Sequence, residues 1–336
     1  MRWRRLKHMN AISKFSKKHS REITTAVALA LVILVFSVLN SRYMEYDNLI
    51  DIVQQGTVNA FLAMGITVAI LTAGIDLSVG STLAVALVSC AMLSAGGANP
   101  VLTIVAGLLI GALIGAANGF VITKMKLQPF IATLGMMEVL RGVAYVLCDG
   151  KTVLNVSDAF RQMFQTEIVR GIRLSMLYLL LMAVIYGVIL TKTRTGVYIY
   201  AIGSNEEATK LSGINVDKYK TIAYVMCGIG AAMAGLVTMA RLGTGEPSAG
   251  VGDETMAIAA AAIGGTSLAG GKGSMAGTVL GAFTLSALKI GLIVIGMDTF
   301  YQYIAVGLII LVATYIENLQ ALVMALGRKI FKGSKK

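Results

Sequence analysis

Charge is scarce in this 336-residue chain: Asp, Glu, Lys and Arg make up 14% of it, against roughly 25% in soluble globular domains. Hydrophobic residues make up 56%, and the mean hydropathy is +0.77. A water-soluble core cannot hide that much apolar surface, which excludes a soluble enzyme. Proline is nearly missing, 3 residues against 37 glycines, a composition suited to long membrane helices with small residues at their contacts. Both histidines, His8 and His19, lie in the basic N-terminal segment, so no imidazole is available at depth as a metal ligand or general base. The three cysteines, Cys90, Cys148 and Cys227, show no CxxC or Cys/His spacing. They read as small packing residues, and neither a disulfide framework nor a metal site is expected. No nucleophile constellation appears, so no catalytic residues are expected.

Positive charge is present but unevenly placed. The net charge is +12, with eight basic side chains from Arg2 to Arg21 and five from Arg328 to Lys336. No aromatic–basic interleaving of the kind that stacks bases occurs, so nucleic acid is not an expected partner. Basic flanks on an apolar chain instead mark cytoplasmic ends of a membrane protein.

Apolar runs fall at about 24–40, 52–73, 78–95, 101–123, 129–147, 174–190, 221–240, 254–269, 275–295 and 299–316. Their lengths approach what a tilted helix needs to cross ~30 Å. The pattern predicts an all-α polytopic membrane protein of about ten transmembrane helices with both termini cytoplasmic. In that topology inner segments carry 21 Lys/Arg and outer loops six, while acidic residues lean outward, as the positive-inside rule requires. The expected organisation is a basic cytoplasmic segment at 1–22, one transmembrane domain at 23–320 and a basic cytoplasmic tail at 321–336. The outer loop at about 148–173 holds Phe160, Met163 and Phe164 at helical spacing after Asn155 and Ser157. It reads as a short amphipathic element, lying on the membrane or docking something outside.

The inner loop at 191–220 holds Ser204-Asn205-Glu206-Glu207, a capping-box pattern with Ser three residues before Glu. Ala208, Thr209, Lys210 and Leu211 can continue a helix, Gly213 can end it, and Asp217 can cap the next one. So short a helix is unstable alone in water. It is either an ordinary capped loop or a lever seated in a groove on a soluble motor subunit.

The Gly-rich stretch 264–277 fails as a phosphate-binding loop. The GxxxxGK[ST] pattern puts Thr266 where the first Gly belongs and Gly273 where Ser/Thr belongs, so no ATP or other cofactor is expected on this chain. The runs 74–81 and 264–274 both join apolar segments at the inner side, each with Gly, Ser and one charge, Asp76 and Lys272. They read either as tight inner turns, with Ser78 and Ser274 as caps, or as corresponding breaks in parallel repeated halves.

Polar residues inside the spans are few. Glu138 and Arg141 share a helix face, as an ion pair or as lining of a wet pathway. Lys289, near the outer end of its run, is expected to snorkel. Gln54, Gln55, Asn59, Asn118, Gln128 and Tyr145 are candidates for helix–helix hydrogen bonds or for contacts to a neutral solute. With Asp76, Ser78 and Arg141, four of them (Asn59, Asn118, Gln128 and Tyr145) make up the candidate substrate pathway.

Four stretches resemble, in order and register, the ribose-type sugar permeases of bacterial ABC importers: "GIDLSVGS" at 74–81, "QPFIATLGMMEVLRGVAYVLCDG" at 128–150, "AIGSNEEATKLSGINVDKYK" at 201–220 and "GGTSLAGGKGSMAGTVLGA" at 264–282. The similarity runs from about residue 25 to 320. It implies a permease in the bacterial inner membrane that dimerises, as a homodimer or with a related permease. It also implies a cytoplasmic ATPase that carries ATP and Mg, and an external sugar-binding protein. Asn205, Glu206, Glu207, Ala208, Ser212 and Gly213 would belong to its coupling helix, beside Ser204 and Lys210. The rival readings are an ion-coupled secondary transporter, which wants carboxylates buried near mid-membrane, and a membrane-embedded enzyme.

Overall fold

The computed structural model describes residues 20–298, 300–305, 307, 308 and 311. The basic segment up to residue 19, the tail at 321–336 and much of the run at 299–316 lie outside the described residues. The helices are α1 Ser20–Leu39, α2 Tyr46–Leu71, α3 Val79–Ala95, α4 Pro100–Thr123, α5 Pro129–Leu147, α6 Asp158–Gln165, α7 Leu174–Lys192, α8 Arg194–Ser204, α9 Glu206–Leu211, α10 Val216–Leu242, α11 Asp253–Ile263 and α12 Met275–Val294. A small antiparallel hairpin, β1 Glu167–Val169 and β2 Ile172–Arg173, sits before α7. Side chains set several starts: Asn99 accepts from Val101 N ahead of Pro100, Asn215 from Lys218 N, and Ser274 from Gly277 N.

Among the described residues seven helices, α1, α2, α4, α5, α7, α10 and α12, are long and apolar enough to cross a membrane. Contacts sort the helix ends into the two sets that an alternating topology demands. At one end Asn40 Nδ2 donates to Val294 O at 2.9 Å, Ser94 Oγ meets Ser157 Oγ at 3.1 Å, and Val153 bridges Gly245. At the other, Thr25 Oγ1 donates to Ile263 O at 3.0 Å, Thr67 meets Thr278 at 2.9 Å, and Tyr200 OH donates to Gly273 O at 2.8 Å. These are the outer and inner ends of the charge count.

Two of the expected crossings are not full helices. α3 has 17 residues and α11 has 11, so at 1.5 Å per residue they span about 25 and 16 Å. The segment 72–78 carries the chain back into the bundle before α3 begins, and 243–252 does the same from the outer end before α11. The two helix starts meet: a methyl added to Gly80 would strike the Gly250 carbonyl and the Glu254 carboxylate, and one on Gly250 would strike the Gly80 backbone. α3 then runs to the outer end and α11 to the inner. The breaks that face each other are therefore 72–78 and 243–252, in opposite sense, as in inverted halves. The turn at 264–274 also meets the inner break, where Gly271 N donates to Leu71 O at 3.1 Å and a methyl on Gly270 would come within 2.8 Å of Ala73 N. Asp253 and Glu254, at the start of the apolar run 254–269, open α11 inside the bundle.

The outer-loop helix α6 forms as expected, with Ser157 Oγ accepting from Phe160 N. Its apolar face turns neither to lipid nor to a partner. Phe160 and Phe164 are fully buried, and Phe164 stacks edge-on against Tyr178 of α7 at 5.4 Å.

α10 is the axis of the bundle, flanked by α2, α3 and α4. Gly107, Gly111, Gly115 and Gly119 form a four-residue stripe on α4. Methyls at Gly111 and Gly115 would collide with the carbonyls of Gly228 and Tyr224, and one at Gly119 would come within 2.8 Å of Thr221 Cα. Gly115→Leu is therefore expected to destabilise the fold by at least the ~1–3 kcal/mol of core overpacking, seen as a lower midpoint of thermal aggregation in detergent. Gly187→Ala on α7, where a methyl meets nothing within 4 Å, should leave that midpoint unchanged.

Candidate solute pathway and coupling segment

The inner loop is two helices at an angle. Thr193 caps α8, which ends at Ser204; Asn205 turns the chain with extended dihedrals and its Oδ1 accepts from Ala208 N at 2.9 Å. The cap of α9 is thus Asn205 and not Ser204, whose hydroxyl donates back to Tyr200 O at 2.8 Å. Asn wins because its side chain starts α9 one residue later, leaving Ser204 in the last turn of α8. Gly213 closes the segment at φ +80°, as read from the sequence. Asp217 does not cap α10, a role Asn215 takes; it pairs with Lys124 at 3.0 Å.

The short helix is held by Thr209, which is buried, and by Glu206, which pairs with Lys220 at 2.6 Å. Glu207, Ala208, Lys210, Ser212 and Gly213 are exposed, and Leu211 is 87% exposed. Behind it, α8 touches both inner breaks. Gly203 lies against the Leu71 carbonyl, Gly271 N donates to Leu71 O at 3.1 Å, and a methyl on Gly271 would come within 2.9 Å of Ser204 N.

Asp76, Ser78 and Asn118 come together. Asp76 Oδ1 accepts from Ser78 N at 2.9 Å and Ser78 Oγ at 2.6 Å, and Asn118 Nδ2 donates to Asp76 Oδ2 at 3.2 Å and Ser78 Oγ at 2.8 Å. Thr133 Oγ1 of α5 accepts from Leu77 N at 3.2 Å. All three residues are at most 1% exposed. The cluster ties the start of α3 to α4 and α5 and supplies the backbone partners that the unwound stretch needs inside a membrane.

The remaining candidates are dispersed. Gln128 precedes α5 and is exposed, and Tyr145 on α5 is exposed as well. Glu138 also faces outward, and Arg141 does not lean on it; its Nη1 donates to Pro247 O at 2.7 Å and Ala249 O at 2.8 Å, clamping the outer break. On the same break, Thr152 and Ser248 hydroxyls donate to Glu246 at 2.7 and 2.9 Å, and these bonds hold its carboxyl below the usual Glu range.

Asn59 donates to Ser286 Oγ at 2.9 Å and lines a cavity of about 270 Å³ with Gln55, Arg241, Glu246, Asp253 and Lys289. Asn59 is the thirteenth residue after Tyr46 and lies roughly 20 Å down α2, while Arg241 in the last turn of α10 and Glu246 beside Gly245 put the other part of the lining at the outer end. Lys289, half-buried and five residues before Val294 at the outer end of α12, lines the same cavity. Arg241, Asp253 and Lys289 were not among the sequence candidates. The signal that points to Asp253 is the acidic pair that follows two glycines in "GVGDE" at 250–254.

These features, broken helices meeting at mid-depth inside a bundle of long apolar ones, define a multi-pass membrane transport protein. The chain belongs to the family described as "Branched-chain amino acid transport system / permease component", which matches residues 48–314. Its curated relatives include sugar permeases. It is 42% identical to the ribose import permease protein RbsC of Escherichia coli (strain K12) over 90% of this chain and 96% of that one. It is 37% identical to the D-allose transport system permease protein AlsC of the same strain (88% and 91%), and 33% identical to the xylose transport system permease protein XylH of Haemophilus influenzae (87% and 94%). No solved structure matches it. The chain is accordingly a permease of the cytoplasmic membrane.

If Arg141 clamps the outer break, Arg141→Gln should free it. A cysteine placed at Ser248, in a Cys148→Ser background, should then react at least several-fold faster with a membrane-impermeant maleimide. Arg141→Lys, which keeps the charge but not the forked donor, should recover only part of the protection.

Proposed function

We propose that this chain is the membrane subunit of an ATP-driven importer for a monosaccharide, a ribose-like pentose or a hexose. It works as a pair of permease copies, or with a related permease, with a separate cytoplasmic ATPase that holds ATP and Mg and an external sugar-binding protein. The observation that carries the reading is the seat of α8. The exposed α9 would rest in the ATPase, and α8 behind it bears directly on the breaks before α3 and α12. A displacement of α9 therefore reaches the helix starts inside the bundle without passing through soft side chains. The relatives named for ribose, allose and xylose support a sugar as the solute.

The cycle is one of rigid-body gating. The loaded binding protein docks on the outer loops, nucleotide closes the ATPases, α9 and α8 carry the motion inward, and the interface between the two permease copies opens to alternate sides. No covalent step takes place on this chain.

Glu207→Arg places a cation on the exposed first turn of α9, where the helix dipole already disfavours one. It should lower uptake and binding-protein-stimulated ATP hydrolysis together, by about tenfold or ~1.4 kcal/mol, at unchanged expression. Uptake by the reconstituted system that ignores the substitution rules out α9 as the coupling element.

A further inference from the structure

We propose that the groove between α1, α7 and α12 at the inner end of the bundle holds an anionic phospholipid of the inner leaflet. Its chain lies along α7 and its headgroup meets Lys192 and Lys272. The site does not depend on which solute the permease carries.

The first observation is open apolar space beside the membrane. The groove has a volume of about 760 Å³, and α7 stands off there from α1 and α12. Gly187 lines it, and a methyl on that residue would meet nothing within 4 Å. The contrast is with α4 and α10, where Gly111 and Gly228 bring the two backbones into contact. Val184 and Val188 stand exposed on the lip, so the groove opens sideways to hydrocarbon. An apolar wall without a neighbour forfeits its dispersion contacts, and an acyl chain from the bilayer restores them.

The second is depth. The lining on α7 runs from Ala183 to Lys192, nine residues on, or about 14 Å along the axis. That is close to half of the ~30 Å hydrocarbon core, the reach of one leaflet. The polar end is the inner rim, because Glu22 lies in the first turn of α1, Lys192 ends α7 and Ser274 caps α12.

The third is charge. Lys192 lines the groove, and Lys272 precedes the lining residue Gly273. Both lysines are exposed, and neither joins an ion pair among the described residues. Glu22 is the acidic residue of the lining, so with the two lysines the rim keeps a net positive charge. Basic pockets between membrane helices on the cytoplasmic side suit acidic headgroups. Tyr200 forms part of the wall, and its hydroxyl donates to Gly273 O at 2.8 Å. A lipid there bears on the contact between α8 and the start of α12.

The test takes the full-length permease in detergent, supplied with equal amounts of phosphatidylglycerol and phosphatidylcholine of the same acyl chains, and counts retained lipid by native mass spectrometry. Phosphatidylglycerol should be retained at least about fivefold over phosphatidylcholine, the scale that one interfacial lysine supplies. Lys192→Gln combined with Lys272→Gln should abolish the preference. Val188→Trp, which sets an indole in the groove, should lower retention of both lipids. All three positions are exposed or on the lip, so the variants are expected to fold. Equal retention of the two lipids by the wild type overturns the assignment, as does a preference that survives in the double variant. Val188→Trp with wild-type retention of both lipids places the lipid elsewhere and overturns it too. A preference that appears only after residues 1–19 are removed makes the basic N-terminal segment the occupant instead. These measurements use no ATPase, binding protein or sugar, so their failure is distinct from failure of the importer reading.

Discussion

The fold depends on backbone contact between α4 and α10. In lipid, two apolar helices gain nothing by hiding from solvent, because hydrocarbon is as good a neighbour as leucine. What remains is van der Waals contact at close range, which requires the absence of side chains. Gly111 and Gly228 face each other so closely that a methyl on either would strike the carbonyl of the other. The same seam lets α10 approach α2 at Gly65 and Gly230. With α10 pinned on two sides, the remaining helices have a fixed post to pack around.

That rigidity sets where the chain can afford to be irregular. An unwound segment at membrane depth must have its backbone groups answered by protein, and the two breaks draw their partners from Asn118 of α4 and from Thr133 and Arg141 of α5. The inner break is answered by Asp76, Ser78 and Asn118 with Thr133 opposite; the outer break hangs on Arg141 and on the Glu246 bonds. The first set is buried and compact. The second reaches in from a single guanidinium and a partly exposed carboxylate, a weaker hold that acid would loosen further. Glu246 has its pKa lowered in the fold, so its contribution is complete above the ordinary Glu value and is lost as pH falls through the depressed one.

Much of this was legible in the chain. Apolar run lengths located the long helices, and the cap of a two-turn inner helix was misplaced by one residue because Ser204 and Asn205 are both good caps. The sequence could not show that 254–269 is a partial crossing. Hydropathy reports that a segment is apolar, not where its first hydrogen bond forms. Likewise Glu138 and Arg141 share a face, but a guanidinium chooses among all acceptors in reach, and two carbonyls of a folded-in loop exceeded one outward carboxylate. Such choices are made by tertiary geometry that spacing along one helix does not encode.

The division between pinned and loosely held parts also bears on how force travels. A seam of touching backbones has one good geometry and cannot slide by fractions of an ångström without clash, so α2, α4 and α10 move together or not at all. Positive-φ glycines sit at 250, 252, 270 and 271, within the outer break and the α11–α12 turn. These are the places where dihedrals can change without steric penalty. α8 presses on the 270–271 turn and on the end of α2. A push at the inner face is therefore resisted by the glycine seam and relieved at the glycine turns, which puts the resulting motion at the helix starts that meet at mid-depth.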